Sequence, residues 1–96
     1  MDLRVEISFK GPISIVTGRR LVIELREKAR VKDLILELNK AFLDKAREKR
    51  LEEVIQNLES QNLILIDGRE ISALEGVETP LREGDKITIL NFTHGG

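Results

Sequence analysis

The chain has no cysteine, no tryptophan and no tyrosine, a single histidine and two prolines in 96 residues. Without cysteine there is no thiolate to act as a nucleophile or to bind a soft metal, and one histidine cannot build a histidine cluster, so no metal site is expected. The aromatic side chains are Phe9, Phe42 and Phe92, too few for base stacking, and 16 basic residues are interleaved with 17 acidic ones for a net charge of −1. A nucleic-acid binder usually carries a basic stripe with exposed aromatics, and direct nucleic-acid binding is therefore not expected. No apolar run approaches the roughly eighteen residues of a membrane span. The opening stretch MDLRVEISF lacks the basic start and long apolar segment of a secretory signal. A soluble, cytoplasmic globule follows as the expectation, and the lack of cysteine fits a reducing cytosol. The glycines near Asp85 and Lys86 have neither the spacing nor the Lys-Ser/Thr pair of a phosphate-binding loop. Acidic residues are numerous, but at 34% charged residues a solvated surface accounts for them. No catalytic residue stands out, and the chain is not expected to be an enzyme.

Leu3, Val5, Ile7 and Phe9 alternate with polar residues, the period of a strand with one buried face. After a connection punctuated by Gly11, Pro12 and Gly18, in which Ile13, Ile15 and Val16 form an apolar plug, Leu21, Ile23 and Leu25 resume the alternation and predict an antiparallel hairpin. Val31, Leu34, Ile35, Leu38, Ala41 and Phe42 then follow helical spacing. The helix start has no preferred cap, since Ala29 or Arg30 occupies that place, although Asp33 lies in the first turn where the helix dipole favours a negative charge. Helical pattern continues past residue 44 with no glycine or proline. One straight helix over residues 31–59 would be about 43 Å long, roughly twice the length of the strands. Leu51, Val54, Ile55 and Leu58 also fall nearly opposite the first stripe. A break near 44–50 and a second, shorter helix are predicted, with its apolar stripe either extending the core or serving as an oligomer or partner surface. A third strand follows in NLILI, and Asp67-Gly68 suits a tight turn with positive φ at both positions. A short fourth strand comes next, and Ile87 and Ile89 mark the last. Two hairpins flanking a helix give an α+β sheet, closed if the first strand lies beside the last.

This order is that of a β-grasp, or ubiquitin-like, fold: a mixed sheet, one main helix across it and here an extra helical insert at 44–60. The final third carries Asp67-Gly68-Arg69, Leu74-Glu75-Gly76, Thr79-Pro80-Leu81, Gly84-Asp85 and a terminal Gly95-Gly96. In these motifs the chain resembles the ubiquitin-like sulfur carriers: the small subunit of molybdopterin synthase, the thiamine sulfur carrier and the ubiquitin-related modifier. The ending His94-Gly95-Gly96, and the absence of a proline pair before it, lean towards the ubiquitin-related and small archaeal modifiers. The insert departs from both, where relatives more often have a loop. Residues 1–92 are expected to form the domain and 93–96 a flexible tail.

The resemblance implies that the protein is a substrate and carrier without a cofactor of its own. Glycine lacks a Cβ, so a Gly-Gly end fits a channel too narrow for side chains and brings a bare carboxylate to another protein's active site. The partner activating enzyme would use ATP to adenylate Gly96. The acyl-adenylate would then yield a thiocarboxylate for sulfur transfer to tRNA or molybdopterin, or be conjugated to target-protein lysines as an isopeptide; both routes use the same tail. Gly95 and His94 would be read by the activating enzyme, though the plainer reading of His94 is a solvated tail residue. Leu90 and Phe92, out of phase with Ile87 and Ile89, are candidates for partner docking with Arg69 as a polar rim; the alternative is that the insert covers them. A glycine pair also suits a frayed terminus. The rival reading from another class is a non-covalent β-grasp protein-interaction domain whose binding survives loss of the two glycines.

Overall fold

The computed structural model describes residues 2–91; the expectations placed on Phe92, Thr93, His94, Gly95 and Gly96 lie outside the described residues. Five strands, β1 (Leu3–Lys10), β2 (Arg20–Leu25), β3 (Asn62–Ile66), β4 (Arg69–Glu70) and β5 (Lys86–Asn91), form one sheet in the order β2-β1-β5-β3-β4. The first and last strands lie side by side and parallel, while β1–β2, β3–β4 and β3–β5 are antiparallel. The predicted roll is therefore present. Between Asp67 and Gly68 the chain turns with φ of 48° and 84°, the double positive φ expected of that pair.

The helices are α1 (Ser14–Thr17), α2 (Val31–Glu48), α3 (Glu52–Gln56) and α4 (Leu58–Gln61). In the plug before β2, Ile13 and Val16 are fully buried, but Ile15 is 58% exposed, because the single turn of α1 points it outward. The weak cap of α2 is offset from within: Asp33 Oδ2 accepts a hydrogen bond from the Arg30 main-chain N–H at 2.8 Å. Arginine has no acceptor to return that bond, so half of a capping box forms. Eighteen residues make α2 about 27 Å long, about the length of the eight-residue β1.

The chain turns back at residues 49–51, at the late end of the expected window. The Leu51 N–H bonds to Ala46 O at 2.8 Å and the Arg50 N–H to Arg47 O at 3.1 Å, with Arg50 at φ 59°. These bonds close a left-handed helix stop of the kind glycine usually makes. The second helix expected there is two pieces, α3 and α4, separated at Asn57. Ile55 and Leu58 are buried beside Leu34, Leu38, Ile64 and Ile89, and Leu51 and Val54 pack partly against them. The insert thus extends the core, and the reading of its stripe as a partner surface is set aside. Each fully buried side chain of this size contributes about 2 kcal/mol.

Candidate functional site: the open sheet face and the root of the tail

Residues opposite one another on neighbouring strands share a face of the sheet. In β5, Ile87, Ile89 and Asn91 are buried towards the helices, which places Lys86, Thr88 and Leu90 on the open face. Leu90 stands between Leu63 and Lys10, and Thr88 between Leu65 and Ser8. Leu63, Leu65 and Leu90 are each half-buried, lying side by side across two strands. Leu90 is therefore on the outward face, and the insert, whose buried residues join the opposite face, does not cover it.

Arg69 is a correction. It pairs with Ile66, which pairs with Ile87, so its register lies on the other face from Leu90 and three residues, about 10 Å, further along the strands. There it borders a shallow pocket with Leu74, Thr79 and Arg82. Its register therefore takes it away from Leu90, whose neighbour on β1 is Lys10.

β5 ends at Asn91, the last described residue before the glycine tail, and that end is held from both sides. On one side Gly11 lies next in the β1–β5 register, with φ 89° and packed so closely that a Cβ would come within 2.1 Å of the Asn91 carbonyl oxygen. On the other, Asn91 pairs with Asn62, and both are buried. The Asn91 side chain donates to Gln61 O at 2.9 Å, the last residue of α4. The Asn62 side chain donates to Leu58 O at 2.7 Å and Val54 O at 3.2 Å, tying α3 and α4 to the sheet. Asn62 Oδ1 is buried with no partner among the described residues. The insert is thereby bolted to the strand from which the tail departs.

Sequence reasoning missed Asn62, Asn91 and Gly11 as a group. The signal was present, for both asparagines occupy the apolar phase of their strands, in Asn62-x-Ile64-x-Ile66 and Ile87-x-Ile89-x-Asn91.

Among the described residues no group of three or more His, Asp or Glu could hold a metal ion, and no helix is long and apolar enough to cross a membrane. The Glu78 carboxyl is held below its ordinary value by hydrogen bonds from Lys32, then Arg30, at 3.0 and 2.6 Å. That cluster lies at the start of α2, remote from the tail root. What the described residues offer is a half-buried apolar row on the open face and a strand end clamped at Asn91.

The strand order and the helix across the sheet define a ubiquitin-like β-grasp protein. The ThiS family model matches residues 7–96, and the chain belongs to that family. No curated protein sequence matches it. Among solved structures it is similar to small archaeal modifier protein 1 from Methanosarcina acetivorans, with 26% identity and a TM-score of 0.73 over 100% of this chain and 99% of that one. Urm1 from Trypanosoma brucei shares the fold at 16% identity and a TM-score of 0.70, covering 99% and 97% of the two chains. So does a chain in the structure of the complex of subunits 1 and 2 of the molybdopterin-converting factor from Helicobacter pylori, at 21% identity and a TM-score of 0.59, covering 98% of this chain and 100% of that one.

Proposed function

We propose that this protein is a sulfur carrier and modifier whose Gly96 carboxyl is the reacting group, residues 93–96 forming the tail that delivers it. A partner activating enzyme joins the carboxylate to AMP with release of pyrophosphate. The terminal sulfur of a protein persulfide then displaces AMP, and a second thiol takes the persulfide's own sulfur as a disulfide, leaving a thiocarboxylate on Gly96. Alternatively an enzyme thiol displaces AMP and passes the acyl group to a lysine amine. The observation that carries this reading is the family match running through Gly95 and Gly96, on a strand whose last described residue is clamped on both sides. Protein partners are in keeping with the two-subunit Helicobacter pylori complex that shares the fold. The docking surface for the activating enzyme is the Leu63, Leu65 and Leu90 row, and Phe92, His94 and Gly95 are the residues that enzyme reads in the tail.

Intact-mass measurement after incubation with ATP, activating enzyme and a persulfide donor should show one oxygen replaced by sulfur. No change, or a change that survives deletion of Gly95 and Gly96, overturns the proposal. Leu90→Glu, placing a charge in the apolar row, should raise KM for activation about tenfold with kcat preserved. A ladder on denaturing gels of cell extract that disappears without Gly96 identifies the conjugation branch, and its absence favours sulfur transfer.

A further inference from the structure

The strand β2 ends the sheet, with β1 as its sole strand neighbour among the described residues. Its outer edge runs for six residues, Arg20–Leu25, without proline, glycine or lysine, the residues by which edges are commonly protected from pairing. Val22 on this strand is 59% exposed, and Leu36 of α2, which shares a groove with Glu24 and Leu25, is 58% exposed. Two of the three most exposed large apolar side chains among the described residues therefore lie along one edge.

The direction of the free main-chain groups follows from the hairpin. The Phe9 N–H donates to Arg19 O at 2.9 Å, in the register that also sets Ile7 opposite Leu21 and Val5 opposite Ile23. Hydrogen-bonded pairs alternate along an antiparallel ladder. Residues 19, 21, 23 and 25 thus bond to β1, and the N–H and C=O groups of Arg20, Val22 and Glu24 point off the edge.

We infer that this edge pairs with the β2 edge of a second copy of the chain, antiparallel about a two-fold axis at Val22. That register sets Val22 opposite Val22, Arg20 opposite Glu24 twice, and Leu21 opposite Ile23 twice. It joins the outward groups of residues 20, 22 and 24 in about six main-chain hydrogen bonds. Shifts by two residues are worse: one sets Arg20 against Arg26, and the other sets Arg20 against Val22 and Glu24 against Gly18. On the open face Glu24 already meets Arg4 at 3.3 Å, so pairing places it between Arg4 and the second copy's Arg20. The two sheets become one, with both open faces on the same side. β1 separates β2 from β5, so the leucine row and the strand leading to the tail stay uncovered. The interface is small and the dimer correspondingly weak.

Sedimentation of the intact chain at concentrations up to about 1 mM should show reversible dimerisation. Arg20→Glu and Glu24→Arg, each folded by circular dichroism, should each weaken self-association on the order of tenfold, because like charges then face each other directly. A mixture of those two variants, or the double variant Arg20→Glu/Glu24→Arg, should dimerise as the wild type does. A chain that stays monomeric throughout, or a dimer indifferent to the single variants, overturns the inference, as does a mixture that fails to recover.

Discussion

At the tail end of the sheet, two buried asparagines fasten helices α3 and α4 to the strands through side-chain to main-chain bonds, and Gly11 lets β1 close on Asn91. At the opposite end, the segment after β4 is fastened to the start of α2 by main-chain bonds, Val31 N–H to Thr79 O and Leu81 N–H to Ala29 O, and by exposed ion pairs from Arg30 and Lys32 to Glu78. Buried amides are costly to misplace, because an unpaired one loses its water without recompense, whereas exposed ion pairs are weak and screened. The end with the stricter chemistry is the one at Asn91, the last described residue before the Gly-Gly terminus. Under the function proposed above, a strand end fixed in direction there delivers the terminal carboxyl from a defined point, with the insert as its brace.

Breaking the stricter end at its tightest point should have the largest effect. Gly11→Ala puts a side chain at φ 89° and against the Asn91 carbonyl. It should destabilise the domain by about 3 kcal/mol or more in denaturant unfolding, since both the left-handed backbone and the clash count against it. Asn91→Ala and Asn62→Ala each remove donors from carbonyls of the insert and should cost about 1–2 kcal/mol. Asn62→Ala should fall at the lower side, because it also removes the unpartnered Oδ1. If the root directs the tail, these two variants should slow adenylation at saturating concentration more than a variant of equal stability at the Thr79 end. Equal slowing at both ends would erase the distinction.

Much of this architecture was legible beforehand because it rests on periodicity. Alternation in β1 and β5, the helical stripe of α2 and the Asp67-Gly68 turn each report a local preference that the sheet merely confirms. Core membership of Ile55 and Leu58 was one of two open readings, since phase shows that a stripe must turn away from the first without showing where it lands. Arg69 was misplaced for a related reason: nearness to a turn says nothing about which face the register assigns. Ile15 shows the limit of composition, for three apolar residues in one short turn cannot all point inward. The asparagine pair was overlooked because polar residues at strand ends look like punctuation until the opposite strand is known.

The junction between α2 and the insert offers a finer test. Arg50 holds the left-handed position that ends α2. Arg50→Gly removes its steric penalty, offset in part by the greater freedom of glycine in the unfolded chain. Stability should rise by about 0.5–1 kcal/mol, and the tail root should be unaffected, so activation rates should match the wild type. A loss of stability would mean that the arginine side chain contributes contacts outweighing its backbone strain.

The smallest effect belongs at the charged end. Bonds from Lys32 and Arg30 lower the pKa of Glu78 from its ordinary 4.5, so its contribution to stability is present above that value and is lost as the pH falls through the lower, folded-state pKa. Glu78→Gln should therefore melt slightly below the wild type near neutral pH, and the gap should close as both are acidified through the lowered folded-state pKa. Added salt should close it too, because the groups are exposed. The asparagine variants, whose bonds carry no charge, should keep their deficit in salt, and a salt response at Asn62 or Asn91 would show that the two ends are fastened more alike than their geometry indicates.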